Sequence, residues 1–307
     1  MDRGEINRGI GLALMAYTLW GLSPIFWRLG DGSAGSVLVV RVLATFVFLG
    51  LIQLLRDRAA AVRAIARDPR VLVLMATSAV LLATNWLLFI WSVTNDRVLE
   101  ASLGYFLNPL VSVVLGVTVL RERLRAPQWI AIAIAAAGVV VLAIDVGRVP
   151  WVALSLAVSF GLYGLIRKTA PLGSLDGLTI EVSLMFPLAV AAFAALATVD
   201  GGTEVVSEPV EWIWAGGTAL MTAAPLLLFA SAARRIELWM VGVLQYIAPT
   251  LNFLLGVLVY DESWSGGQVV GFLVIWSGLA VFAAEGILQS RRLRSRDAAT
   301  DVLRVQR

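Results

Sequence analysis

The segment YFLNPLVSVVLGVTVLRE at residues 105–122 returns 140 positions later as QYIAPTLNFLLGVLVYDE at residues 245–262. Each copy carries a proline in the middle of an apolar run, Pro109 in the first and Pro249 in the second. The same ungapped register holds from about residue 83 to residue 142. It also aligns polar and small residues that apolar composition does not explain, namely Glu122 with Glu262, Gln128 with Gln268 and Gly138 with Gly278. The sequence therefore predicts an internal duplication.

Two weaker matches extend the duplication toward the start of the chain. Phe46 falls on Phe186 at the same offset, and Trp20-Gly21-Leu22 falls on Tyr163-Gly164-Leu165 at an offset of 143.

The chain ends in a polar, Arg-rich tail, residues 291–307, which we expect to be disordered and to lie near anionic lipid. The predicted divisions are a first repeat over 1–147, a second repeat over 148–290 and an Arg-rich cytoplasmic tail over 291–307.

The composition is that of a membrane protein. Of the 307 residues 59% are hydrophobic and only 15% are charged, which is too few charges to cover a soluble protein of this size. Cysteine and histidine are absent, so disulfides are excluded and the most frequent metal ligand is missing. The net charge of +3 comes from arginines in short loops, which indicates orientation in a membrane rather than nucleic-acid binding. No cofactor or metal is expected.

Ten apolar runs are long enough to cross a bilayer, which takes roughly 20 residues of helix. The runs lack the alternation of barrel strands. Their short linkers predict that neighbouring helices are antiparallel. The predicted spans are 9–28, 34–55, 71–94, 98–120, 127–145, 150–167, 176–199, 212–234, 237–260 and 266–288. The predicted fold class is therefore an all-α integral membrane protein with ten transmembrane helices.

The basic residues predict how the chain is oriented. One side of the membrane receives 20 of them, in the N-terminus, the tail and loops such as 56–70 and 121–125. The opposite side receives only Arg28, Arg97 and Arg148. Cytoplasmic loops carry the excess of basic residues, so both termini are expected to be cytoplasmic. We expect a multi-pass protein of a bacterial inner membrane.

The repeat unit holds five helices, and this odd number has a consequence for topology. The second copy must enter the membrane from the opposite face, which makes the architecture a five-plus-five inverted repeat. Inverted repeats are common in secondary transporters, where exchanging the conformations of the two halves opens the site first to one side and then to the other. The topology therefore favours a transporter over a receptor or a structural protein.

The matched prolines predict a central cavity. A proline frees a carbonyl of the preceding turn, and lipid cannot satisfy that carbonyl. Pro109 and Pro249 are thus expected to bend two helices beside a wet cavity, although a kink that only improves packing is the alternative. Residues around the prolines and in neighbouring helices are unusually polar or aromatic for mid-membrane positions. The candidate substrate-binding residues are Trp20, Asn85, Trp86, Tyr105, Asn108, Tyr163, Gln245 and Tyr246.

Three ionisable residues, Arg41, Glu100 and Glu181, lie inside or at the rims of predicted spans. A charge at membrane depth costs a few kcal/mol or more, so it usually faces a cavity and a partner; the alternative is a side chain that snorkels to the headgroups. The 140-residue offset relates Arg41 to Glu181, and inversion puts them at mirrored depths, so a direct salt bridge is not expected. Because histidine is absent, the candidate proton carriers are carboxylates, with Glu181 first and Glu100 second. Glu122 is expected to cap a helix or to pair with a base.

Several long motifs resemble a known family in their order and spacing. They are NWLLFIW (85–91), EASLGYFLNPLV (100–111), Glu122-Arg123, YGLIRK (163–168) and QYIAPTLNFLL (245–255). They are similar to RarD-type proteins of the EamA group in the drug/metabolite transporter superfamily, and the resemblance runs from about residue 5 to residue 290. It implies ten helices in an inverted repeat with cytoplasmic termini. The family label "chloramphenicol-sensitive protein" implies a drug or metabolite as substrate.

The leading hypothesis is secondary transport of a small organic molecule by alternating access, with proton coupling through a carboxylate left open. No nucleotide-binding motif, metal-ligand cluster or nucleophile with a histidine base is present. An integral-membrane enzyme or a flippase for lipid-linked substrates is the alternative, and it requires a polar cluster at one membrane face. A channel requires a continuous polar stripe. The oligomeric state is left open.

Overall fold

The computed structural model describes residues 2–29, 33–95, 97–147, 149–198, 209–260 and 265–305, and every regular element in those ranges is a helix. The helices are α1 (Arg3–Trp27), α2 (Ala34–Leu55), α3 (Ala59–Ile65), α4 (Pro69–Thr94), α5 (Val98–Thr118), α6 (Ala126–Val146), α7 (Trp151–Thr169), α8 (Ser174–Leu196), α9 (Pro209–Ala233), α10 (Leu238–Gln245), α11 (Ile247–Leu258) and α12 (Gly266–Val305).

Within the described ranges, ten segments are long and apolar enough to cross a membrane, which confirms the predicted fold class. Each agrees with a predicted span to within a few residues; the second, for example, covers Gly35–Leu55. The short α3 lies in the loop after the second span, and α10 and α11 together form the ninth, Leu238–Leu258. Glu262, the repeat partner of Glu122, lies outside the described residues.

The spans begin and end at residues suited to helix ends. The hydroxyl oxygen of Ser33 accepts a hydrogen bond from the Ser36 N–H at the start of α2. At the start of α4, the carboxylate of Asp68 accepts from the Arg70 N–H, and proline occupies the first helical position. Gly147 ends α6 with a φ of 71°, a left-handed conformation that glycine adopts without strain. Local sequence thus defines these ends.

The chain forms two compact units that differ from the sequence repeats. Unit 1 contains residues 1–122 and 150–262, and unit 2 contains residues 123–149 and 263–307. Each repeat therefore contributes four spans to unit 1 and its last span to unit 2. In unit 1, α5 packs on α7 as α1 packs on α11, and α1 packs on α9 as α4 packs on α7. Exchange of the two repeats converts each of these pairings into its counterpart.

Close glycine contacts show the duplication at the level of single residues. A Cβ atom on Gly21 would lie 2.7 Å from Cβ of Leu251, and one on Gly161 would lie 2.6 Å from Cγ1 of Val111. Adding 140 to the first glycine gives the second, and adding 140 to Val111 gives Leu251. Unit 2 repeats the pattern. Its counterpart contacts join Gly138 to Ile275 and Gly278 to Ala135.

These contacts correct the alignment of the first helix. The sequence suggested that Trp20-Gly21-Leu22 corresponds to Tyr163-Gly164-Leu165 at an offset of 143, and this register is wrong. Gly21 occupies the same packing position as Gly161, so the offset is 140 and Trp20 corresponds to Phe160. Glycine and aromatic residues recur often in this chain, and a three-residue match does not define a register.

The matched prolines have different effects on their helices. α5 continues through Pro109, whereas the ninth span is interrupted at Tyr246, three residues before Pro249. The Tyr246 N–H there donates to the Val243 carbonyl, a tighter turn than in an α-helix. The interruption coincides with the bend that the sequence predicts at Pro249.

The predicted disorder of the polar tail is not what the structure describes. The helix α12 continues from its apolar segment, Gly266–Glu285, as far as Val305. Residues 287–305 contain no glycine or proline, and they include many arginines, alanines and leucines. These residues favour a helix, which accounts for the difference.

Candidate functional site

Arg41 is a cation that the structure places inside the second span, in unit 1. It lies on α2, seven residues after the first residue of the helix. Its Nε donates a hydrogen bond to Oγ1 of Thr222 on α9, at 2.7 Å. Thr222 is fully buried, so the guanidinium points toward the interior of the unit. Arg41 itself keeps part of its surface accessible, unlike the threonine that orients it.

Aromatic side chains surround the Arg41 guanidinium. The Trp86 ring lies beneath it, 4.2 Å from Cζ to the ring centroid, and the Trp27 ring lies at 5.4 Å. Tyr105 lies near the same guanidinium. Tyr105 remains 40% exposed although it faces this cation. The predicted site residues Arg41, Trp86 and Tyr105 thus come together, and we call them with Trp27 and Thr222 the Arg41 cluster.

A second aromatic group lies near the middle of unit 1. The rings of Trp20 and Phe160, which correspond to each other in the repeat, lie edge to face at 5.8 Å. Phe229 of α9 is adjacent to both of them and stacks with Tyr163 at 6.0 Å. The Tyr17 hydroxyl donates to the Val241 carbonyl and ties α1 to α10. Trp20 and Tyr163 therefore belong to one aromatic core.

Glu181, the repeat counterpart of Arg41, lies in a closed polar cluster. It is fully buried, and its Oε1 accepts a hydrogen bond from the Ser78 hydroxyl at 2.6 Å. The Nη1 of Arg167, also buried, lies 3.4 Å from the same oxygen. Arg167 further donates through Nη2 to the Ser174 carbonyl at 2.8 Å. Tyr163 lies close enough to interact with Glu181. We call Glu181, Arg167 and Ser78 the Glu181 cluster.

The two clusters occupy equivalent places in the repeat but differ in exposure. Tyr105 is 40% exposed and its counterpart Gln245 is 5% exposed. Trp86 is partly exposed and its counterpart Leu226 is 2% exposed. Glu181 is fully buried, whereas Arg41 is partly exposed. In each of these pairs the residue of the first repeat is therefore more accessible than its counterpart in the second.

Four of the buried polar atoms without a described partner lie on the two proline-bearing spans. They are Oδ1 of Asn108, Oε1 of Gln245, the hydroxyl of Tyr246 and Oδ1 of Asn252. The spans pack closely here, because a Cβ on Gly242 would lie 2.7 Å from the Pro109 carbonyl oxygen. An unsatisfied buried polar atom costs free energy, so such groups are functional candidates. Three of these four residues were predicted from the sequence.

Two predicted residues lie in packing contacts instead. The amide nitrogen of Asn85 donates to the Leu156 carbonyl at 2.9 Å and to the Ser159 hydroxyl at 3.0 Å, joining α4 to α7. Glu100 is buried at the start of α5, where Arg97 reaches its Oε1 at 3.1 Å. Neither residue reaches the Arg41 cluster through these contacts. They stay predictions as site residues.

Glu122 is a helix cap, as predicted. Its two carboxylate oxygens accept hydrogen bonds from the backbone N–H groups of Leu238, at 2.7 Å, and Trp239, at 3.0 Å. A carboxylate at a helix N-terminus is favourable because backbone donors and the helix dipole face it. Lys168 pairs with Glu122 at 3.6 Å and also donates to the Ile236 carbonyl. This network ties the ends of α5 and α7 to the start of α10.

A neighbouring arginine adds to this end of the unit. Arg234 follows the last residue of α9 and donates to the Ala170 carbonyl at 2.9 Å and to the Leu172 carbonyl. Burial, and then the positive charges of Arg167 and Arg235, lower the pKa of Arg234. Three cations therefore lie near one another where α7 and α9 end.

The sequence did not single out four residues that complete the clusters. Thr222 lies between apolar residues, and Trp27 stands beside Arg28 at the end of a predicted span, where an aromatic residue is usually an interface anchor. Arg167 was counted only among the cytoplasmic basic residues at the end of the predicted span 150–167, although the resemblance motif YGLIRK contains it, and Ser78 lies in an apolar run. Among the described residues, no three acidic side chains come together to hold a metal ion.

Comparisons with known proteins agree with this architecture. The model of the EamA-like transporter family matches the chain twice, over residues 7–144 and 149–284. An uncharacterized transporter of Vibrio cholerae is 41% identical over 93% of this chain and 95% of its own length. The RarD protein of Escherichia coli is 40% identical over 95% of this chain and 99% of its own length.

A crystal structure shows the same fold at low sequence identity. It superposes with a TM-score of 0.66 over 89% of this chain and 96% of its own length, at 19% identity. The double family match and the high coverage by relatives show that this chain belongs to the EamA-like transporter family, as a RarD-type member. It is a multi-pass bacterial membrane protein and a membrane transporter.

Proposed function

We propose that this EamA family member is a secondary transporter that moves a small organic molecule across the inner membrane by alternating access. The observation that carries the proposal is the unequal exposure of equivalent residues. Tyr105 and Gln245 occupy matched positions, yet one is 40% exposed and the other 5%. A chain whose repeats take different conformations can exchange them, and the exchange would close one cavity and open its mirror image.

The arginine distribution supports cytoplasmic termini, and this orientation assigns the two clusters to opposite halves of the membrane. Arg41 lies near the start of a span that enters from outside, and Glu181 near the start of one that enters from the cytoplasm. The conformation is then open toward the outside and closed toward the cytoplasm. The direction of net transport does not follow from this.

The residues take different roles in this proposal. Arg41, Trp86 and Tyr105 form the contact surface for the substrate, because they are accessible and converge. Asn108, Gln245 and Tyr246 supply unsatisfied polar atoms on the spans with Pro109 and Pro249. These groups become available when the second repeat opens.

The Glu181 cluster closes the cytoplasmic half. A buried ion pair is stable only while its partners remain together, so opening must separate or hydrate it. Glu181 is the titratable carboxylate at this point and is the proposed proton carrier. Proton uptake by Glu181 would weaken its attraction to Arg167 and so favour opening.

Solute counterflow tests the proposed function. Purified protein is first screened for small organic compounds that raise its thermal stability, because a compound that binds the native state stabilises it. Each stabilising compound is then supplied in labelled form to proteoliposomes preloaded with the unlabelled compound. We expect transient accumulation of label, which a carrier produces and a channel does not.

The outcome also separates the alternatives. Entry of label without accumulation would indicate a channel and contradict the proposal. Chemical conversion of the compound would indicate a membrane enzyme. A matched control uses Arg63→Gln, since Arg63 lies exposed on α3, away from the residues proposed to bind substrate; this variant should show normal counterflow.

A further inference from the structure

The Arg41 cluster contains a cation without a described counter-ion. Among the described residues, the hydrogen-bond partner of Arg41 is the neutral Thr222, and no carboxylate pairs with it. Two other arginines in or beside the spans have carboxylate partners. Arg167 pairs with Glu181, and Arg97 with Glu100. We infer that the transported molecule is an organic carboxylate whose anionic group binds Arg41 and whose apolar body contacts the surrounding aromatic rings.

Membrane depth is what makes the missing counter-ion significant. A charged side chain inside a bilayer usually pairs with an opposite charge or faces a wet cavity, because desolvation is costly. The Trp86 and Trp27 rings offset part of this cost through cation–π contacts. The remaining positive charge attracts anions and repels cations, so the cluster selects a negatively charged ligand.

The geometry favours a carboxylate among possible anions. The Thr222 hydroxyl donates its hydrogen to the Thr218 carbonyl at 2.7 Å, so its oxygen is left to accept from Nε of Arg41. This bond fixes the guanidinium on one edge and leaves both terminal nitrogens without a described acceptor. Two parallel N–H groups match the two oxygens of a carboxylate.

The side chains around Arg41 indicate which other chemical group the carboxylate ligand carries. Trp86 and Trp27 present rings to the same cation, and the nearby Tyr105 adds a partly exposed aromatic side chain. Rings beside a charged anchor suit a ligand with a flat apolar or aromatic part next to its anionic group. A small inorganic anion would leave these rings unused.

This inference rests on the proposed transport function and is tested first by binding. Purified protein is mixed with benzoate, phenylacetate or indole-3-acetate, and separately with the neutral amide of each acid. The shift in melting temperature against ligand concentration gives an apparent affinity. We expect at least one acid to stabilise the protein at a concentration at least tenfold below that of its amide.

Two variants link the preference to Arg41. Arg41→Met removes the charge and should abolish the preference for acid over amide. Because it removes an uncompensated cation, the ligand-free variant should melt no lower than the parent, which also shows that it folds. Arg41→Lys keeps the charge without the fork and should retain a reduced preference. Arg63→Gln removes an exposed arginine on α3 and should bind like the parent.

Several results would overturn the inference. They are failure of all three acids to stabilise the parent protein, an amide that binds as tightly as its acid, or an unchanged preference in Arg41→Met. If neutral or cationic compounds show counterflow while the acids neither bind nor move, the ligand class is wrong and the transport function stands. If no compound of any charge shows counterflow, the transport proposal itself fails.

Discussion

The buried Arg167–Glu181 pair offers the sharpest test of how unit 1 is held closed. Arg167 is 1% exposed and Glu181 is fully buried, with 3.4 Å between Nη1 and Oε1. We consider Arg167→Met, which keeps the length of the side chain and removes its charge. Glu181 then lies in the interior with the Ser78 hydroxyl as its described donor. Leaving one member of a buried pair uncompensated costs about 3–5 kcal/mol of unfolding free energy.

Adding Glu181→Leu to Arg167→Met should raise the free energy of unfolding again, opposite in sign to the effect of Arg167→Met alone. The double variant removes both charges and leaves no uncompensated ion, and such apolar replacements are often neutral or stabilising by about 1–4 kcal/mol. The double variant should therefore recover most or all of the loss. The two substitutions would then be coupled by about 3 kcal/mol or more, well above the ~0.5 kcal/mol expected of independent sites.

Unfolding in detergent micelles measures these differences. Titration with sodium dodecyl sulfate, followed by far-ultraviolet circular dichroism, gives the unfolding free energy of the parent, both single variants and the double variant. Arg63→Met, on the exposed face of α3, is the matched control and should change stability by no more than about 0.5 kcal/mol. A loss below about 1 kcal/mol in Arg167→Met, or a double variant no more stable than that single one, would refute the reasoning.

The remaining predictions concern three contacts and one proton. Gly177→Ala should lower the melting temperature, because its Cβ would collide with the Arg167 guanidinium. Gly138→Ala should cost about 1–3 kcal/mol of unfolding free energy by overpacking α6 against Ile275. The control for both is Gly50→Ala, whose added Cβ meets no atom within 4 Å and which should not destabilise the protein. Glu122→Ala should cost about 1–2 kcal/mol by uncapping α10, measured by the same titration, and an unchanged midpoint would contradict the cap. Glu181→Gln should abolish the response of uptake to an imposed pH gradient in proteoliposomes; a stable variant with normal gradient-driven uptake would exclude Glu181 as the proton carrier.

The sequence contained most of the fold because membranes constrain helices strongly. Apolar runs of the right length gave all ten spans, and the 140-residue register gave the duplication that the contacts of Gly138 and Gly278 now show. It could not give the division into compact units. Helix packing decides which span of each repeat belongs to unit 2. That packing depends on contacts between residues distant in sequence, such as the one between Gly21 and Leu251.

The site was predicted less completely than the fold. Charge at membrane depth marked Arg41 and Glu181, and the repeat indicated that they would not pair with each other; Arg41 instead bonds to Thr222 and Glu181 pairs with Arg167. Thr222 lies 181 residues from Arg41, and Arg167 lies 14 residues from Glu181. The local sequence pattern does not indicate either pairing. Arg167 was predicted as the last residue of a span, where a basic residue usually marks the cytoplasmic side, so its pairing with Glu181 was not expected.

The unequal exposure of matched positions could not have been predicted at all. Tyr105 and Gln245 are related by the repeat, and sequence alone makes them equivalent. Their difference in exposure belongs to one conformation, not to the residues themselves. We propose that transport exchanges the exposures of these two positions.

Single cysteines at these two positions test the exchange most directly. The chain has no cysteine of its own, so Tyr105→Cys and Gln245→Cys each carry one thiol. A membrane-impermeant maleimide is applied from each side, without and with a compound that shows counterflow. Labelling at 105 from outside should be rapid, and labelling at 245 should be slow. The compound should slow the first and accelerate the second from the cytoplasmic side. Rates that rise or fall together, or labelling of both positions from one side, would contradict alternating access.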